Sequence, residues 1–112
     1  MKTIELLKEA GYEVTIEHER APEGGALLSN RAHYEDRKPY NEGSATWLTP
    51  SSAVTSVTIS DGEASFTGRS WCSLNDQFDR KLGITIAIGR AMKRGRGVIK
   101  LAQRSPLEDL LI

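Results

Sequence analysis

Two alternating runs, residues 54–60 and 63–71, flank Asp61-Gly62, and no other feature of the chain restricts its fold as much. Asp-Gly supplies the positive φ angles of a two-residue hairpin turn. With a two-residue loop, Ile59 falls opposite Ala64, Val57 opposite Phe66, Thr58 opposite Ser65 and Ser56 opposite Thr67. Apolar side chains then meet on one face and hydroxyls on the other, as a sheet buried on one side requires. Gly68 is a candidate bulge, and a bulge there would set the face on which Trp71 lies.

Elements that can cover such a hairpin lie on both sides of it. Residues 3–10 read as a short amphipathic helix, with Ile4, Leu7 and Ala10 on one side, Leu6 widening the stripe, and Gly11 as its stop. Residues 12–20 alternate, placing Tyr12, Val14, Ile16 and His18 on an inner face and Glu13, Thr15, Glu17 and Glu19 on an acidic outer one. After the hairpin, Ser73 and Asp76 form a capping-box pattern that opens a helix over 74–94. At 100° per residue, Leu74, Phe78, Leu82, Ile84, Ile88 and Met92 share an apolar arc, opposite Asp76, Asp79, Arg80, Arg90 and Arg94, and Gly95 ends the run.

Residues 105–112 repeat the helix-start grammar with Ser105, Pro106 and Glu108. Leu107, Leu110 and Leu111 gather on this tail, which must dock on its own domain or on a partner to be stable. Residues 21–52 hold three of the four prolines together with Tyr34, Tyr40 and Trp47. They read as a long loop or flap over the sheet with a further strand near 45–49, or as a functional excursion. The fold class is α+β: a three- or four-stranded antiparallel sheet packed on one face by the long helix and the short N-terminal helix, in a single domain spanning 1–112.

Charge sharpens the picture. Fifteen basic side chains balance fifteen acidic ones, but residues 1–78 carry seven basic against twelve acidic, whereas 79–104 carry eight basic against Asp79 alone. Such a split gives the molecule a positive pole able to steer an anionic partner. No apolar run approaches the roughly 20 residues of a membrane span, and the charged first ten residues do not read as a secretion signal. A cytoplasmic location is expected, with no membrane partner.

Chemistry-bearing patterns are sparse. The single cysteine, Cys72, excludes an internal disulfide. His18 and His33 lack ligand spacing, so no metal site is expected. Cys72 lies where the predicted helix begins and its dipole could lower a thiol pKa, but no histidine nearby in sequence offers itself as a base. The stretch 83–89 lacks the Lys-Ser/Thr ending of a phosphate loop. Neither a catalytic set nor a cofactor is expected. What remains is the predicted outer face of the long helix, where Gly83 and Ala87, one turn apart, form a groove of small residues rimmed by Arg80, Arg90 and Arg94, with Arg96 extending the strip. A partner backbone or a phosphate chain could approach closely there.

The run from Cys72 to Lys93, with Cys-Ser, Asp-x-Phe, Arg-Lys, Gly, Ile-Ala and Gly-Arg-Ala in order, resembles a motif of small uncharacterised phage and prophage proteins. The chain departs from it at Ile84, where that motif has arginine. The resemblance implies a strand-to-helix unit and no transferable activity. The order helix, strand, hairpin, helix is also similar to a double-stranded-RNA-binding domain in topology. That family places lysines where this chain has Asp76 and Asp79, so no RNA-contacting residue carries over. The expectation is a non-enzymatic phage-type accessory protein that binds a host protein, with inhibition of a defence system as one such role. The alternative is a nucleic-acid-binding module using the same basic helix face, and a homodimer stays open.

Overall fold

A computed structural model describes residues 1–30, 48–74, 77–99 and 105–110. In chain order they form α1 (Lys2–Glu9), β1 (Glu13–Arg20), β2 (Leu27–Asn30), β3 (Leu48–Ser51), β4 (Ala53–Ser60), β5 (Ser65–Cys72), α2 (Arg80–Arg94) and a C-terminal 3-10 helix, Pro106–Leu110. The main sheet is antiparallel and three-stranded, in the order β1-β4-β5, and β2 pairs with β3 in a second ladder. The fold is α+β, with α2 laid across one face of the main sheet.

The hairpin forms, with a longer loop than the dipeptide suggests. Ser60 pairs with Ser65, so residues 61–64 are the loop, Ile59 faces Phe66 and Val57 faces Gly68. The register is displaced by two residues from the expected one, which leaves every side chain on its expected face. Asp61 explains the displacement. Its Oδ1 accepts the amides of Glu63 at 2.9 Å and Ala64 at 2.8 Å, while Gly62 takes φ +96°. These bonds hold the Asp61 carboxyl below the usual carboxylate range, Ala64 contributing most. Hydroxyl meets hydroxyl as expected, but between Thr58 and Thr67, at 2.9 Å.

The inner face of the sheet consists of rows read across the three strands. Val14–Ile59–Phe66 and Ile16–Val57–Gly68 are apolar, and His18–Thr55–Ser70 and then Arg20–Ala53–Cys72 follow. Gly68 pairs in register with Val57 and marks no bulge, so Trp71 lies on the outer face opposite Val54. Its real role is close approach. A Cβ on Gly68 would sit on the Ala87 carbonyl oxygen and the Ala91 amide nitrogen, and 2.9 Å from the Arg90 carbonyl carbon. Backbone of α2 thus rests directly on β5, and Ala87, Ile88, Ala91 and Met92 are buried there with Val57, Ile59 and Leu7.

Helix α2 starts at Arg80, six residues after the expected start at 74. Asp79 is the N-cap: its backbone is extended and its carboxylate accepts the Leu82 amide at 3.1 Å. Leu74 and Phe78 therefore precede the helix, and Leu74 is exposed. The expected Ser73–Asp76 cap involves residues 75–76, which lie outside the described ones.

At the other end of the chain, Gly11 stops α1 with φ +94°, and the Tyr12 amide reaches back to the Leu7 carbonyl at 3.0 Å. Met1 supplies no side-chain cap to α1. Asp109 does so from the 3-10 helix, its Oδ2 accepting the Thr3 amide at 3.1 Å, with both residues buried. The C-terminal segment thus docks on its own chain.

The stretch 21–52 contains β2 and β3, and β3 includes residues 48–49 of the strand expected at 45–49, whose residues 45–47 lie outside the described ones. Across the join between the two ladders, residues 21–26 stand opposite Ser52, whose carbonyl accepts the Ala21 amide at 2.8 Å. Tyr34, Tyr40 and Trp47, and His33 with them, lie outside the described residues. No helix among the described residues is long and apolar enough to cross a membrane.

Candidate functional site

The residues expected to form one docking strip are distributed over three environments. Gly83 and Ala87 do not face outward. Ala87 is fully buried, and a Cβ on Gly83 would lie 2.9 Å from Thr55 Oγ1 on the sheet. The reason is Gly68. The closest crossing selects the helix stripe with the smallest side chains, Gly83, Ala87 and Ala91, and Ile88 and Met92 are buried beside it. Leu82, assigned to the buried arc, is accordingly 41% exposed.

Arg90 is committed elsewhere. Half-buried, it wraps over the β5 edge, donates from Nη1 to the Arg69 carbonyl at 2.6 Å, and sets its guanidinium 5.7 Å from the Trp71 ring centre. Arg80 and Arg96 are exposed and Arg94 is half-buried. Arg80 stands at the opposite end of α2 from Arg94, about 21 Å away at about 1.5 Å per residue. The six residues therefore do not make one surface.

A different groove takes up that chemistry. It runs between the outer side of α2 and the C-terminal 3-10 helix, has a volume of about 450 Å³, and is lined among others by Ile86, Gly89, Lys93, Arg96, Pro106 and Leu107. Gly89 provides the small-residue floor expected of Gly83, with Pro106 across from it. Lys93 and Arg96 are exposed, and Leu107 is 56% exposed. The result is a partly apolar trough with a cationic rim. Gly89 could have been found in the sequence by asking which helix glycine avoids the stripe opposite Gly68, but that needs the sheet register first.

The other end of the core is polar. Thr55 and Ser70 are buried beneath the first turn of α2, where the Ser70 hydroxyl donates to the Gly83 carbonyl at 2.8 Å and His18 Nδ1 meets Thr55 Oγ1 at 2.9 Å. His18 Nε2 is buried with no hydrogen-bond partner among the described residues. Phe78 packs edge-on against the His18 ring at 5.7 Å, and the Arg20 guanidinium lies 5.3 Å from the Phe78 ring centre. Burial, and secondarily the Arg80 charge, lowers the His18 pKa, so this imidazole is neutral near pH 7. A cavity of about 380 Å³ opens here, bounded by Thr55, Ser70, Cys72, Phe78 and Asp79 among others.

Sequence reasoning found no histidine near Cys72, and the fold does bring His18 to the neighbouring row of the same face. Two strand spacings and a two-residue offset still separate their backbones by about 12 Å, beyond the reach of a nucleophile–base pair. The helix start expected beside Cys72 has moved to Arg80. No group of three or more metal-ligating side chains occurs among the described residues. Compared with known proteins, the chain matches no family, no curated protein and no solved structure.

Proposed function

We propose that this is a non-enzymatic binding protein of the phage accessory type, which docks an acidic segment of a host protein in the α2/3-10 groove. The observation that carries the reading is the composition of that groove: apolar lining from Ile86, Pro106 and Leu107 beside the exposed cations Lys93 and Arg96. A protein segment can satisfy both, burying apolar side chains while its carboxylates meet the rim. The resemblance of the stretch from Cys72 to Lys93 to a motif of small phage proteins supports the setting, the host cytoplasm, with inhibition of a defence system as one such role. Nucleic acid is the second reading. It needs cations spaced along one face, and with Gly83 turned toward the sheet, Ala87 buried and Arg90 bound to β5, support for the strip on which it rested is weakened.

The test is capture from nuclease-treated host lysate by the wild-type protein and by Lys93→Glu with Arg96→Glu. The protein reading expects capture that survives nuclease and is lost in the double variant, with little change in Tm because both side chains are exposed. Capture that persists in the double variant refutes the groove. A bound species that disappears with nuclease, and whose affinity falls linearly on a log–log salt plot, refutes the protein reading in favour of nucleic acid.

A further inference from the structure

Strand β1 is an edge of the main sheet, and among the described residues no strand pairs with its outward side. The opposite edge, β5, is guarded by the Arg90 guanidinium on the Arg69 carbonyl. Two properties of β1 specify what could be added to it. On the inner side, Val14 and Ile16 pack against the core yet stay half-buried, and among the described residues no strand lies beyond them. On the outer side, Glu13, Glu17 and Glu19 are exposed carboxylates at alternate positions.

We propose that β1 accepts an extended segment of a protein partner in which apolar residues alternate with Lys or Arg. Strand addition satisfies the unpaired backbone groups of an edge whatever the sequence added. Alternation decides which sequence fits. Residues on the inner side of the sheet extend the apolar rows beyond Val14 and Ile16, and their neighbours in sequence point to the outer face, opposite or diagonal to the glutamates. The occupant is not a second copy of this chain. Central two-fold pairings of β1 that keep the apolar side inward set Glu17 against Glu17, or Glu13 against Glu19, and like charges facing each other across a ladder are destabilising. The same carboxylates would repel an acidic strand. This surface is separate from the α2 groove and of opposite charge.

The test is fluorescence anisotropy on the full chain with a labelled peptide alternating Lys and Val, against a peptide of the same composition with its lysines and valines in blocks. Strand addition expects the alternating peptide to bind about tenfold more tightly, in line with three cross-strand charge pairs. Methylating alternate peptide amides in one register should abolish binding, and in the other should leave it intact. Glu13→Lys with Glu17→Lys and Glu19→Lys should lose the basic peptide and take up one alternating Glu and Val. If that variant does not fold, the two methylation registers decide alone. Equal affinity for alternating and blocked peptides, or equal effects of the two registers, overturns the proposal in favour of plain charge attraction. No binding by the wild type also overturns it, and leaves the glutamates as guards that keep an edge single.

Discussion

Changing Gly68 to Ala tests the central packing claim, because two arguments predict opposite signs. Within a strand, alanine for glycine reduces the freedom of the unfolded chain and should stabilise by about 0.5–1 kcal/mol where nothing clashes. Here the new methyl meets the Ala87 carbonyl oxygen, the Ala91 amide nitrogen and, at 2.9 Å, the Arg90 carbonyl carbon. All three are backbone, so no rotamer change relieves them. To restore ordinary contact of about 3.5 Å, α2 must lift by about 1 Å or more along its middle turns. That loosens Ala87, Ile88 and Ala91 from Val57 together, and overpacking of this kind costs about 1–3 kcal/mol or more. We take about 3 kcal/mol, a large part of the 5–15 kcal/mol that holds a typical domain. At about 4–8 °C per kcal/mol for a chain of this size, Tm should fall by roughly 12–24 °C. Circular dichroism melts give the answer, with Gly89→Ala as control. Among the described residues a methyl at Gly89 meets only Pro106, at 3.7 Å, so the same substitution there should raise stability by about 1 kcal/mol. An unchanged or raised Tm for Gly68→Ala would refute the close crossing.

Asp109→Ala should destabilise by about 1–2 kcal/mol in urea titration, since it removes the acceptor that caps Thr3 in α1. Asp109→Asn keeps an acceptor and should recover part of the loss; equal losses would show that the cap is not what Asp109 contributes. His18 adds a pH signature. Its folded pKa lies below the ordinary histidine value, so the unfolded chain binds the proton first. Stability from the neutral imidazole is complete above about pH 6.5 and is lost as pH falls through the folded value. His18→Gln should flatten that part of the stability–pH curve, and an NMR titration placing His18 above 6.5 in the folded protein would contradict the assignment.

Local patterns in the sequence carried the elements well. Alternation in 12–20 and 54–60, the stop at Gly11 and the positive φ at Gly62 are each decided by neighbours a few residues away. The docking strip could not be read the same way. Ranking α2 positions by hydrophobicity placed Ile88 and Met92 in the core, as found, but it turned Gly83 and Ala87 outward, and their inward position depends on Gly68, a residue of another element. A methyl-free strand position rewards the helix stripe that comes closest, and helical periodicity alone cannot weigh that. The start of α2 was misplaced because Ser73 and Asp79 both suit a cap, and the extended backbone at Asp79 decides between them. The cap from Asp109 spans nearly the whole chain and leaves no mark in either local pattern.

The join at residues 21–26 has a practical consequence. The first ladder closes on its own through Ala21 and Ser52, and the Gly25 amide closes a turn on Pro22 at 2.8 Å without help from the sheet. Glu23 and Gly24 are exposed and paired in neither ladder, so alterations in length there should leave the β1–β4 register unchanged. A dye, an affinity tag or an added loop can be grafted at this position, and the main sheet will keep its alignment.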